Sequence, residues 1–130
     1  VKYVGNCFLY SKVVMMNAFH DMVTAAGGDW ETVRLAMVKD PRIGESHTQP
    51  LHTSGHDLEK GAPKRGAGGH CFIKDFEAFR SYVKENVVDA YADQMIETMI
   101  EYNNSLLVRT NKDIDLLTGV YGEERVQKYK

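Results

Sequence analysis

Apolar positions recur at helical spacing from the start of the chain. Phe8, Leu9, Val13, Met16, Phe19, Val23 and Ala26 predict one long helix over residues 1–26. The segment holds no proline, and its one glycine, Gly5, lies near the start. Gly27-Gly28 then supplies the left-handed backbone that commonly ends a helix. Asp29 follows as an N-cap, with Glu31 in the first turn, where the helix dipole favours negative charge. Trp30, Val33, Ala36 and Met37 stripe a second helix to about Lys39, and Pro41 stops it.

The periodicity then lapses. Residues 40–70 hold all three prolines, six of the eleven glycines and four of the five histidines. A stretch so much longer than the usual roughly 4–6-residue connection reads as a binding element or a disordered segment. The helical pattern resumes at Asp75, a candidate cap, with Phe76, Phe79, Tyr82 and Val83 facing inward. Asn86 interrupts it. Val88, Ala92, Met95, Met99, Tyr102 and Leu106 stripe a last long helix to about Arg109. Residues 111–130 are polar apart from Ile114, Leu116, Leu117, Val120 and Tyr121, and read as a tail with one or two helical turns. The expected fold is all-α: a helical domain over 1–110 and a C-terminal tail over 111–130.

Composition narrows the function classes. The 130 residues suffice for one domain with a modest core. A net charge of −2 offers no electrostatic reason to expect nucleic acid or an acidic membrane as partner. No apolar run approaches the roughly 20 residues that span a bilayer, and no signal peptide is evident. Two cysteines, Cys7 and Cys71, far apart, are not a disulfide framework, so a reducing cytoplasm is expected. The chain starts at Val1, inside an amphipathic pattern, and reads as a piece of a longer protein.

Three places could carry chemistry. The first is Gly66-Ala67-Gly68-Gly69-His70-Cys71-Phe72-Ile73-Lys74-Asp75. Glycines let backbone approach a ligand closely. A cysteine just ahead of a helix N-terminus, near Lys74, gains thiolate character and can act as a nucleophile; a buried loop cysteine fits the residues equally well. The second is Lys2 with Asn6, one helical turn apart, able to donate to a developing oxyanion, although solvated surface residues are the commoner outcome. The third is Asp40-Pro41-Arg42-Ile43-Gly44, where Arg42 can present its planar fork to a sugar hydroxyl or a phosphate. His47, His52 and His56 lie near Asp57, but their spacing matches no zinc signature, and no metal is expected. His70, beside Cys71, is a weak candidate base. No Gly-x-Gly-x-x-Gly follows a strand, so no dinucleotide site is expected in this chain.

Taken together and in order, these segments resemble the central domain of the UDP-glucose/GDP-mannose 6-dehydrogenases. The segments are Lys2-Tyr3-Val4-Gly5-Asn6-Cys7-Phe8-Leu9, then Asn17, Gly27-Gly28-Asp29, Asp40-Pro41-Arg42-Ile43-Gly44 and the cysteine run. The resemblance covers about residues 1–107, and the cysteine motif with its trailing Lys74-Asp75 is its most specific part. It departs from the family pattern at Ala62-Pro63-Lys64-Arg65, where many members have Pro-Gly. His70 matches the branch acting on N-acetylated sugars, whereas Lys74-Asp75 matches the UDP-glucose and GDP-mannose branches.

The resemblance implies a long-helix dimerisation domain akin to the helical domains of 6-phosphogluconate-type dehydrogenases. It implies oxidation of a sugar C6 alcohol to a carboxylate with NAD, held mainly by a domain outside this chain. Cys71 would form a thiohemiacetal and then a thioester. Lys2 and Asn6 would donate to the oxyanion, and Asp75 would orient water. Arg42 would contact the sugar of a dimer partner. Gly66, Gly68 and Gly69 would let the loop pass close to the sugar, flanked by Phe72 and Lys74, with Lys74 also near the cofactor. A homodimer through the first helix is expected, and the chain alone is expected to be inactive. Two rival readings are a non-catalytic dimerisation module descended from such an enzyme, and a thiol sensor pairing Cys71 with Cys7.

Overall fold

A computed structural model describes residues 1–51 and 64–130. Its helices run in chain order as α1 (Lys2–Ala25), α2 (Trp30–Met37), α3 (His70–Asn86), α4 (Ala90–Arg109), α5 (Ile114–Tyr121) and α6 (Glu123–Gln127). The fold is all-α. Its one extended contact among the described residues is an isolated antiparallel bridge between Leu51 and Arg65. No described helix is long and apolar enough to cross a membrane.

The first two helices begin and end for the expected reasons. Gly27 takes φ +82 past the end of α1. The Asp29 carboxylate accepts from the Thr32 amide at 3.1 Å and the Thr32 hydroxyl at 2.6 Å, capping α2. Glu31 pairs with Arg34 of the same helix.

α1, α3 and α4 pack on one another, and the core lies between them. Tyr10 of α1 stacks on Phe76 of α3, with centroids 3.9 Å apart and planes 11° from parallel. Both are 1 % exposed, and burying an aromatic of this size contributes roughly 1.5–3 kcal/mol. Val13, Val14, Val83, Ile96 and Ile100 complete this layer. Ile73, Leu107, Leu117 and Val126 form a second cluster, through which α5 and α6 join the body.

The buried faces differ from the stripes read off the sequence. On α1 the buried residues are Cys7, Tyr10, Val13, Val14, Met16 and Asn17, while Phe8 is 66 % and Phe19 36 % exposed. On α4 the inward face is Ile96, Ile100, Asn103, Asn104, Leu106 and Leu107, whereas Met95 is 59 % exposed. Val88 lies outside α4 and is fully exposed, as Tyr82 of α3 largely is. Each long helix carries two apolar faces. Periodicity detects a stripe but does not say which one the other helices cover.

Two further differences concern the second half. α3 starts at His70 rather than Asp75, because Gly69 (φ +88) turns the chain directly into the helix. Residues 111–130, read as a tail with one or two helical turns, hold the helices α5 and α6. Leu117 and Val126 are buried, and Glu101 of α4 accepts from Arg125 at 2.6 Å, Lys128 at 2.8 Å and Tyr129 at 2.7 Å.

Candidate active site

The packing of α1 against α3 joins residues far apart in sequence. The Asn6 amide donates to the Asp75 carboxylate at 2.9 Å across 69 positions. The Cys7 thiol donates to the Asp75 carbonyl at 3.7 Å. Lys2 lies four residues before Asn6 on α1, and Cys71 four before Asp75 on α3, so each shares a helical face with one member of the pair. Asp75, no longer a cap, is thereby an acceptor in the second turn of α3. Cys71 is exposed, while Cys7 is buried.

Cys71 occupies the second position of α3, within its first turn. There the first-turn N–H groups have no partner within the helix and stand ready to donate to a ligand oxygen beside the thiol. Burial and the Asp75 carboxylate push the Cys7 thiol up, away from reactivity. The same causes, burial first, raise the neighbouring Tyr3 phenol, with Cys7 and Asp75 adding to it. Burial of Cys7 disfavours it as the resolving partner of a sensor.

The glycine run is held from behind by the α4–α5 corner. Asn103 clamps the Ala67 peptide on both sides: its Oδ1 accepts from the amide at 2.7 Å and its Nδ2 donates to the carbonyl at 3.0 Å. Lys112 Nζ donates to the Gly66 carbonyl at 2.8 Å, and the Gly69 amide donates to Asp113 Oδ2 at 2.7 Å. A Cβ on Gly66 would stand 3.0 Å from Leu107, and one on Gly68 would collide with Asp113 Oδ2. At these two positions the need for glycine is met inside the chain. Gly69 faces open space and stays available to a ligand. Upstream, Arg65 donates to the Asn17 side chain at 3.0 Å and pairs with Asp21 at 2.9 Å, tying the loop to α1.

The remaining candidates lie apart. Arg42 is bound to Asp40 at 2.6 Å and its side chain is 87 % exposed, on a turn that Lys12 secures by donating to the Ile43 carbonyl at 2.8 Å. Phe72 packs against the core and touches the His47 ring, with centroids 5.7 Å apart. Lys74 and His70 are exposed on α3. His52, His56 and Asp57 lie outside the described residues, and the described ones contain no cluster suited to a metal. Asn103, Lys112 and Asp113 escaped the sequence reading. The last two sit in a polar segment whose charges gave no sign of burial.

The described residues by themselves form no dinucleotide cradle of the strand–turn–helix kind. Among the described residues there is no strand from which a glycine turn could enter a helix, the unit that seats a dinucleotide. Two glycines of the one glycine-rich turn are filled by this chain's own side chains. Lys74 alone forms no cradle.

An all-α body with an exposed cysteine in the first turn of a helix, beside a cross-helix Asn–Asp pair, defines a thiol-bearing helical module. Residues 1–105 match the UDP-glucose/GDP-mannose dehydrogenase family, central domain, and the chain belongs to that family. It is 29 % identical over 124 residues to the UDP-glucose 6-dehydrogenase YwqF of Bacillus subtilis, covering 95 % of this chain and 24 % of that protein. It is 30 % identical over 109 residues to the UDP-glucose 6-dehydrogenase of Pseudomonas aeruginosa, covering 84 % and 21 %. The Rickettsia bellii UDP-glucose 6-dehydrogenase is 29 % identical over 103 residues, covering 79 % and 20 %. The chain thus spans about a fifth to a quarter of the length of these relatives.

Proposed function

We propose that this chain is the cysteine-bearing part of an NAD-dependent nucleotide-sugar 6-dehydrogenase, with Cys71 as its nucleophile. The observation that carries the reading is the Asn6–Asp75 contact at 2.9 Å with an exposed Cys71 one turn away. The Cys71 thiolate adds to a C6 aldehyde. A C–S bond forms, and the carbonyl electron pair moves onto oxygen. Lys2 and the second N–H of the Asn6 amide donate to that oxyanion, the kind of contact that lowers acyl-transfer barriers most. Asp75 accepts the proton of the water that hydrolyses the later thioester, releasing the thiolate and a carboxylate. NAD, held mainly by a domain outside this chain, would supply the two two-electron oxidations, alcohol to aldehyde and thiohemiacetal to thioester.

The sugar is held by contacts to Gly69 and Lys74 and by Arg42 of a dimer partner. Support for a homodimer comes from the uncovered apolar faces. Val4, Phe8 and Met22 of α1 are each more than 60 % exposed. Met15 and Ala18 of α1 face Tyr91 and Met95 of α4 around a depression of about 500 Å³. Apolar patches of this kind mark association surfaces.

The test is NADH formation by the polypeptide expressed with its adjoining coding sequence. UDP-glucose, GDP-mannose and UDP-N-acetylmannosamine are offered, with Cys71→Ser as control. The expected result is two NADH per sugar, lost or stalled in the variant. A folded, NAD-binding dimer silent on all three would favour the non-catalytic dimerisation module.

A further inference from the structure

We infer that Asp113, together with Lys112, is a positioning residue for Cys71, an inference that rests on the reading of Cys71 as nucleophile. Asp113 stands at the N-cap position of α5, where an aspartate ordinarily accepts from its own helix. Here its side chain makes no such cap. Its carboxylate instead takes the amide of Gly69, the residue from which α3 and Cys71 emerge. Lys112, fully buried, reaches the Gly66 carbonyl at the other end of the same run. The corner that presents these two side chains is itself strained: Asn111 (φ 54) and Asp113 (φ 51) both adopt left-handed backbone without being glycine. Such strain persists only where the surroundings impose it.

The glycine run and the corner also lie in close contact. Gly68 leaves no room for a Cβ because Asp113 Oδ2 occupies that space. The loop and the corner are fitted to each other, and the product of the fit is a defined start for α3. Cys71 lies in the first turn. Its exposure to the helix N–H groups and dipole lasts only while α3 begins at His70. Releasing the Gly69 amide would fray that turn and slow the thiol.

The experiment measures the rate of Cys71 alkylation by iodoacetamide in the purified chain, read by peptide mass spectrometry well below the melting temperature. Wild type is compared with Asp113→Ala and Asp113→Asn. The expected result is at least a threefold slower reaction in Asp113→Ala, with Asp113→Asn within twofold of wild type because its amide oxygen still accepts from Gly69. A purely structural role would lower the melting temperature of Asp113→Ala and leave the rate unchanged, and that outcome overturns the inference. If Asp113→Ala does not fold, amide exchange in the wild type decides. Gly69 exchanging at the free-peptide rate also overturns the inference, and protection of at least a hundredfold supports it. Neither readout needs sugar or NAD. A failed NADH assay beside a slowed Cys71 would therefore refute the dehydrogenase reading and leave the positioning intact.

Discussion

Asn103 and Asn104 are neighbours on α4, both buried, at 0 % and 1 % exposure. Asn103 satisfies the amide and the carbonyl of Ala67, itself fully buried. Among the described residues Asn104 finds no hydrogen-bond partner for either polar atom of its side chain. Asn103→Ala leaves two buried peptide groups unpaired, each costing about 1–3 kcal/mol. A loss of about 3 kcal/mol follows, a large share of the roughly 5–15 kcal/mol that holds a domain of this size. In a urea titration followed by circular dichroism, a slope of about 2 kcal/mol/M moves the midpoint down by about 1.5 M. Asn104→Leu removes the unpaired polar atoms on the same heavy-atom skeleton, with the larger methyls offsetting part of the gain, and should shift the midpoint by less than about 0.5 M. Equal losses in the two variants, or a shift below about 0.5 M for Asn103→Ala, would refute the argument that the clamp on Ala67 is a main support of the loop.

Two other predictions concern charge and surface. Burial works against the charge of Glu101, but Lys128, Tyr129 and Arg125 outweigh it and hold its carboxyl down to about 2, against an ordinary 4.5. Because the folded value is the lower one, the stability it supplies is complete above about pH 4.5 and is lost as pH falls towards about 2. Melting temperature should therefore decline across that window in wild type and decline less in Glu101→Gln; parallel curves would remove Glu101 as the cause. Phe8→Glu places a charge on the exposed face of α1 and should raise the dissociation constant of the proposed dimer at least tenfold in sedimentation while leaving helicity unchanged. A wild type that stays monomeric at high concentration would count against the dimer.

Much of this protein was legible in its sequence because the signals are local. Helix periodicity, the Gly27-Gly28 stop and the Asp29 cap depend on residues within a few positions of one another, and α1 and α2 appear where those signals lie. The cysteine motif, with Lys2 and Asn6, named the candidates and the family. Tertiary structure decided what depends on distant contacts. It chose which apolar face of α1 and α4 is covered, exposing Phe8 and Met95 and burying Tyr10 and Ile100. It moved Asp75 from a cap to the partner of Asn6, 69 residues away. It also drew Lys112 and Asp113 out of a polar stretch and buried them against Gly66 and Gly69. A charged side chain reads as solvated until its partner is known, and here the partners include backbone groups more than forty positions away, which carry no side-chain signature for a sequence to display.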